Sequence, residues 1–228
     1  ITAVETRQQI LVFTDKSLHA MQYLGPPFTF GISMLSENIT IASPLAAIAV
    51  DDMVMWMGEQ EFYIYSGQVQ KLPCSVRSYV FNDFNQDQAE KVTAAVNSSY
   101  SEIWWFYPSA TVTNGLMNQN IDKYVVYNYQ EKVWYYGNLA RSAWIDRGIG
   151  QYPIAASLDG YLYYHEFGND DGSVNPPAGI NSYIESSQMS MGAGDNFVLL
   201  SKLIPDVTFD GSSSPSPNVD FTFQTRRF

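Results

Sequence analysis

The sequence predicts an all-β fold assembled from propeller-like blades, each a group of short antiparallel strands. Three observations carry this expectation. Aromatic residues are abundant, with 16 Tyr, 13 Phe and 5 Trp in 228 residues, and aromatic side chains favour pleated, half-buried surfaces. Short apolar runs come in pairs joined by turn-forming residues. The pairs recur at spacings of roughly 40–50 residues, the period of propeller blades.

Ile10 to Phe13, a turn at Thr14-Asp15-Lys16-Ser17, and Leu18 to Tyr23 read as a first hairpin. Met53 to Met57, a turn at Gly58-Glu59-Gln60-Glu61, and Phe62 to Tyr65 read as a second. Ser66-Gly67 closes it, and Val69 starts a return strand. Glu102 to Tyr107 and Lys123 to Tyr127 bracket an irregular insert from Pro108 to Asp122. Asn128-Tyr129-Gln130-Glu131 then turns into Lys132 to Tyr136, which ends at Gly137. The last clear pair, Ile154 to Ser157 and Tyr161 to Phe167, flanks a turn at Leu158-Asp159-Gly160. Asp15 and Glu59 lie 44 positions apart, Gly58 and Ser109 51 apart, and Ser109 and Asp159 50 apart. A lone blade cannot cover both its faces, so neighbours must stack. About four units are visible, against the 4–8 of a closed propeller. An irregular β-sandwich with coincidental spacing is the alternative architecture.

One helix is expected, over Asn85 to Val96. Asn85 is a capping residue, Asp87 lies near the positive end of the dipole, and Ala89, Val92 and Val96 share one face. Gly168 to Gly179 reads as a loop, with Asn169-Asp170-Asp171-Gly172 and Pro176-Pro177 in it. The domain reading is propeller-like β repeats over residues 1–180 and an antiparallel β extension over 181–228. In the extension, strands are expected within 182–191, across 197–209 with an interruption at Pro205, and across 219–225; Gly211 to Pro217 is a linker or hairpin loop.

The chain carries 12 Lys+Arg against 23 Asp+Glu, a net charge of −11. A tight, sequence-independent nucleic-acid binder needs a basic excess to displace counterions. The opposite sign suits a wall past which DNA slides, because it repels phosphate; it serves solubility equally well. The single Cys74 excludes an internal disulfide and reads as a small buried hydrophobe. The most apolar stretch, Ile39 to Val50, is too short to cross a bilayer and contains Pro44. The chain begins at Ile1 and ends at Gln224-Thr225-Arg226-Arg227-Phe228 in sequence that reads as folded, so it is expected to be part of a larger protein.

Candidate chemistry is sparse. His19 and His165 each sit within a strand pattern, too few for a zinc site, and read as hydrogen-bonding residues. Pairing Cys74 with either histidine as a nucleophile has no local signature behind it. Asn169 to Gly172 offers oxygens, but it lacks the alternation and distal Glu of a Ca²⁺ loop and reads as a turn. Gly148-Ile149-Gly150 and Gly192-Ala193-Gly194 lack the surroundings of a phosphate loop. Ser157 to Gly160 has the start of a sialidase-type Asp-box but not its end. A glycosidase would need two carboxylates about 5–10 Å apart; Glu102, Asp122, Asp159 and Glu166 are the candidates. Trp104, Trp105, Trp134 and Trp144 would then stack on sugar. The competing reading packs these aromatics between blades. No catalytic, cofactor-binding or metal-ligating residue is assigned, and no cofactor is expected.

Several runs also carry a resemblance. Thr14 to Gly31 (TDKSLHAMQYLGPPFTFG), Glu102 to Ser109 (EIWWFYPS), Tyr124 to Tyr129 (YVVYNY), Val133 to Gly137 (VWYYG) and Asn181 to Ser186 (NSYIES) resemble segments of the tail nozzle, or stabilization, proteins of short-tailed bacteriophages. The likeness spans roughly residues 7–210, and its motifs are structural. It implies a non-enzymatic virion component at the distal end of the phage tail. Such nozzles are typically hexameric rings built around a β-propeller with further β domains. They form a gated channel that retains packaged DNA and lets it pass at ejection without specific binding. The partners implied are further copies and neighbouring tail or portal-adaptor proteins, with no membrane. Family members are usually much longer than this chain. The alternative functions are a carbohydrate-binding or glycoside-hydrolysing propeller and a receptor-binding tail tip.

Overall fold

The computed structural model describes residues 1–171, 176, 178–180, 182–186, 199–210 and 216–224. They fall into two compact units, 1–169 and 170–228.

The first unit is a succession of antiparallel meanders. Sheet one is β1 (Thr2–Glu5), β2 (Ile10–Phe13), β3 (Ser17–Tyr23) and β4 (Phe30–Glu37), paired in chain order. Sheet two repeats this with β5 (Ala47–Val50), β6 (Met53–Met57), β7 (Phe62–Tyr65) and β8 (Val69–Lys71). Helix α1 (Arg77–Asp83) and a 3-10 segment (Gln86–Lys91) lead into sheet three. That sheet begins with β9 (Thr93–Asn97) and β10 (Glu102–Pro108). A small ribbon, β11 (Val112–Thr113) with β12 (Leu116–Met117), interrupts it before β13 (Ile121–Asn128) and β14 (Val133–Asn138) complete it. Sheet four has three strands, β15 (Ala143–Ile145), β16 (Ile154–Ala156) and β17 (Leu162–Tyr164).

The first strands begin at Thr2, Ala47, Thr93 and Ala143, so each unit occupies about 45–50 residues. The turns at Asp15, Glu59 and Asp159 and the insert that opens at Ser109 all join the second strand of a sheet to its third. The spacing read from the sequence is therefore the period of one structural unit.

These first strands form a row. β1 lies beside β5, β5 beside β9, and β9 beside β15. Hydrogen bonds at their ends show that they run in the same direction. Just before β5, the Leu45 carbonyl accepts from the N–H of Ala94 near the start of β9, at 2.8 Å. Just past the far ends, Arg7 reaches Asp51 at 3.3 Å, and the Ser98 N–H donates to the Asp146 carboxylate at 3.3 Å. The sheets thus stand side by side along a shared row of first strands. The all-β class is as expected, and among the described residues no sheet closes into a barrel or a ring.

The core lies between the sheets. Leu11, Phe13, Leu18 and Ala20 turn one face of sheet one towards Trp56 of sheet two, with the Phe13 and Trp56 rings edge to face at 5.1 Å. Phe62 meets Trp105 at 5.0 Å and Trp134 at 4.8 Å, joining sheets two and three. Trp104 stacks on Trp144 at 5.6 Å, joining sheets three and four. Two sheets that bury aromatic rings against each other gain both the area removed from water and favourable ring geometry.

The helix expected over 85–96 is corrected. Asn85 does cap, its side-chain oxygen accepting from the Asp87 N–H at 3.1 Å, but only a 3-10 segment to Lys91 follows. Thr93–Asn97 is instead β9, with Ala94 opposite Trp105 and Val96 opposite Ile103. The β-branched Val92, Thr93 and Val96 fit a strand, and an available edge on β10 overrides the apolar spacing. The α-helix lies upstream, at Arg77–Asp83, with no side-chain cap. Its seven residues are held by packing, with Val80 buried and Phe81 at 5.2 Å from Phe62.

In the second unit, β18 (Asp170–Asp171) pairs with β19 (Ala178–Gly179). The strands expected across 197–209 and 219–225 are not formed in their described parts, 199–209 and 219–224. Leu199, Ile204 and Phe223 are exposed there. Alternating apolar residues make a strand only where a partner edge takes up their backbone groups, and none does so among the described residues. Residues 187–198, 211–215 and 225–228 lie outside those described, as do Gly192 and Gly194.

Candidate functional site

The tryptophans fasten neighbouring sheets to one another. The buried Trp105 donates its indole N–H to the Ala46 carbonyl at 3.0 Å, from sheet three to the segment entering sheet two. Trp134 does the same to Pro73 at 2.9 Å, and Trp144 of sheet four to Val96 of sheet three at 2.9 Å. Trp56 donates to Thr40 at 3.1 Å, in the connection between sheets one and two. Four of the five indoles thus satisfy a backbone carbonyl while their rings fill a gap between sheets. None of these four lines an open cleft as a sugar platform would.

The fifth, Trp104, belongs to a carboxylate cluster where sheets three and four meet. Its indole donates to Glu102 at 2.9 Å, and the Tyr135 hydroxyl donates to the other Glu102 oxygen. Glu166 comes close enough for the negative Glu102 to raise its pKa, after the larger effect of burial. Asn97 donates to Glu166 at 3.1 Å, which works the other way. Burial, then the carboxylate of Glu102, pushes the Tyr135 phenol well above its usual range. Glu166 holds a left-handed backbone, φ 57°, which a non-glycine residue adopts at a cost. The buried Asn97 leaves its Oδ1 without a hydrogen-bond partner among the described residues. Two of the four candidate carboxylates therefore converge. Chemically, Glu166 holds its proton more readily than an exposed carboxyl does.

The other two candidates hold local structure, Asp122 at the start of β13 and Asp159 in the β16–β17 turn. Asp122 accepts from the Ser109 N–H at 2.8 Å and the Ser109 hydroxyl at 2.6 Å, pinning the insert. Asp159 accepts from the Tyr161 N–H at 3.1 Å and the Tyr163 hydroxyl at 2.6 Å, and these bonds, the phenol first, lower its pKa.

His19 shares a hydrogen bond with Ser17 at 2.9 Å. His165 accepts from Arg141 Nε at 3.0 Å and packs against Trp144. Burial and the Arg141 charge push its pKa down to about 4, so it is neutral at physiological pH. The half-buried Cys74 lies near Glu61 and Arg77, and burial raises its thiol to about 11, so it is a poor nucleophile. Asp170 and Asp171 are taken up in the β18–β19 pairing. Among the described residues, no three His, Cys, Asp or Glu side chains gather as a metal site would require.

The less expected features are two exposed apolar sheet faces. Pairing places Glu5, Ile10, Met21 and Ile32 on one face of sheet one, together with Ala3, Val12, His19 and Met34, away from sheet two. Ile32 is 69% exposed and Met34 53%. On sheet four, Ala143, Ile145, Ile154, Ala156, Leu162 and Tyr164 share the face away from sheet three. Ile145 is 71% exposed and Tyr164 65%. Sequence patterning cannot mark these positions, because the sheets carry apolar residues on both faces and only stacking decides which face is left over. No family model matches the chain, and no curated protein is significantly similar to it.

Proposed function

We propose that this chain is an architectural component of a short-tailed phage tail, a subunit segment of the nozzle ring around the DNA channel. The observation that carries this reading is the arrangement of the sheets: four blades side by side on a common row of parallel first strands, with the gaps filled by aromatic residues. Such a body is rigid, and it spends its tryptophans on fastening blades rather than on forming a cleft. The net charge of −11 suits a surface that DNA passes without gripping. The nozzle-like runs at Glu102 to Ser109, Tyr124 to Tyr129 and Val133 to Gly137 form β10, β13 and β14 of sheet three. Negative-stain microscopy of the protein mixed with purified tail or portal complexes tests the proposal. Rings docked at the tail end support it, and a protein that ignores the tail overturns it.

A second reading, glycan binding or cleavage, is favoured by the convergence of Glu102 and Glu166 near Trp104. Against it, Glu102 already accepts from both Trp104 and Tyr135. A glycan array with wild type and Glu166→Gln decides it: binding lost in the variant would establish the site, and silence on the array removes it.

A further inference from the structure

We propose that Asn97 and Glu166 form a proton-operated clasp between sheets three and four: a protonated Glu166 donates its O–H to Asn97 Oδ1 while accepting from Asn97 Nδ2, and loss of the proton loosens the junction. The starting point is an unmet hydrogen bond. Asn97 is fully buried, its Nδ2 donates to Glu166 Oε1 at 3.1 Å, and its Oδ1 has no partner among the described residues. A buried acceptor left without a donor is costly, and native structures supply one. Covalent geometry fixes the amide oxygen beside Nδ2, the atom that meets the Glu166 carboxyl. A carboxylic acid answers an amide with two bonds, its carbonyl taking the N–H and its hydroxyl filling the oxygen, whereas a carboxylate makes only the first. Turning the amide over leads to the same place: its oxygen would then face Glu166 Oε1, and two acceptors in contact need a proton between them. A proton needs no cavity, which a water or a metal ion would.

The surroundings keep the proton on Glu166. Asn97 lies directly opposite Glu102 in the β9–β10 pairing, so the two share one face of sheet three. Glu102 accepts from both Trp104 and Tyr135, and burial first, then the Glu102 charge, favours the neutral form of Glu166. Tyr135 of β14 stays a neutral phenol. On sheet four, His165 is neutral at physiological pH and takes its hydrogen bond from Arg141, while Asp146 accepts from the Ser98 N–H. Glu166 also holds its left-handed backbone, φ 57°, at a cost that the contact offsets, and that contact bridges 69 positions from β9 to the bend after β17. The proton exchanges with solvent, and no other bond forms or breaks. Its loss removes one of two bonds and sets two negative charges side by side, so sheet four is held less firmly as pH rises.

The inference does not depend on the ring-subunit reading. Its test is the pH dependence of stability in the full chain. Glu166 favours its proton in the fold, so its contribution is present below the ordinary carboxyl value of 4.5 and is lost as pH rises through the raised value. In Glu166→Gln the amide reproduces both bonds at every pH and does not titrate. By urea unfolding, the variant is expected to match the wild type near pH 4.5 and to gain about three- to tenfold in folding equilibrium constant by about pH 8. His165 is common to both proteins and cancels in the comparison. Carbon NMR of the wild type follows the two partners: the Asn97 side-chain carbonyl is expected to shift with the same midpoint as the Glu166 carboxyl, above pH 4.5. A variant whose difference from the wild type does not change with pH overturns the proposal. So does a Glu166 carboxyl that titrates at or below 4.5, or one that titrates without moving the Asn97 carbonyl. A crystal structure with a water or a cation bonded to Asn97 Oδ1 would overturn it as well.

Discussion

The Trp105 indole donates to the Ala46 carbonyl at 3.0 Å, and both residues are fully buried although they are 59 positions apart. This one bond ties sheet three to the entry of sheet two at a place that water does not reach. Trp105→Phe removes the donor, leaves the Ala46 carbonyl with only the Met57 N–H at 3.2 Å, and opens a partial cavity, so it is expected to cost about 2–4 kcal/mol. Trp134→Phe removes a similar bond to Pro73 from a half-buried position, where solvent can replace it, and is expected to cost about 1 kcal/mol. Urea unfolding of both variants checks the order as well as the size.

Gly137 faces Tyr124 directly across the β13–β14 pairing. A Cβ at this position would lie 2.5 Å from the tyrosine hydroxyl and 2.7 Å from the ring carbon that bears it. Gly137→Ala must therefore push the ring off its packing against Trp104, which lies 4.7 Å away. A loss of about 1–3 kcal/mol is expected, together with a changed near-ultraviolet circular dichroism signal from the displaced aromatics.

The Glu102 charge raises the pKa of Glu166, so replacing it should release Glu166. In Glu102→Gln the carboxyl of Glu166 is expected to titrate at lower pH, and carboxyl carbon shifts followed by NMR read this directly. Tyr135→Phe removes a donor to Glu102. The double-mutant cycle of Glu102→Gln with Tyr135→Phe is expected to show a coupling of about 0.5–3 kcal/mol, whereas independent effects would mean that the phenol does not hold the carboxylate in solution.

His165 links folding to pH. Its pKa falls from the ordinary histidine value of 6.5 to about 4 in the fold, through burial first and then the Arg141 charge. The unfolded chain therefore binds the proton more readily. The stability from this group is fully present above pH 6.5 and is lost as pH falls towards 4. Unfolding free energy measured at steps across that window is expected to rise with pH in the wild type and to rise less in His165→Gln. Identical slopes in the two proteins would show that His165 is not the source.

The second and third strands of each sheet in the first unit were legible in the sequence because local chemistry dictates them, whereas the first strands, β1, β5, β9 and β15, were not read. Met53–Met57 and Phe62–Tyr65 emerge at the residues where the apolar runs start and stop, and the turn between them closes locally, the Gly58 N–H donating to the Glu61 carbonyl at 2.8 Å. The repeat was legible for the same reason, since three of the four units place a short turn between the second and third strands and the other places its insert there. The helix over 85–96 misled because its apolar spacing suits a helix while Val92, Thr93 and Val96 also suit a strand, and the edge of β10 settles the matter. Glu102 and Glu166 could be singled out as carboxylates, but their convergence depends on sheet three lying against sheet four.

The sequence by itself determined the all-β class, the repeat of about 45–50 residues and the small supply of histidine and cysteine, because composition, turn chemistry and strand alternation act over a few neighbours. Only the tertiary structure decided that the indoles fasten neighbouring sheets, that Asn97, Tyr135 and the two glutamates share one site, and that one apolar face of sheet one and one of sheet four remain uncovered. Each of these depends on which surfaces meet between separate sheets of the chain. That outcome is set by the stacking of whole sheets, whose apolar faces look alike until one of them has found its partner.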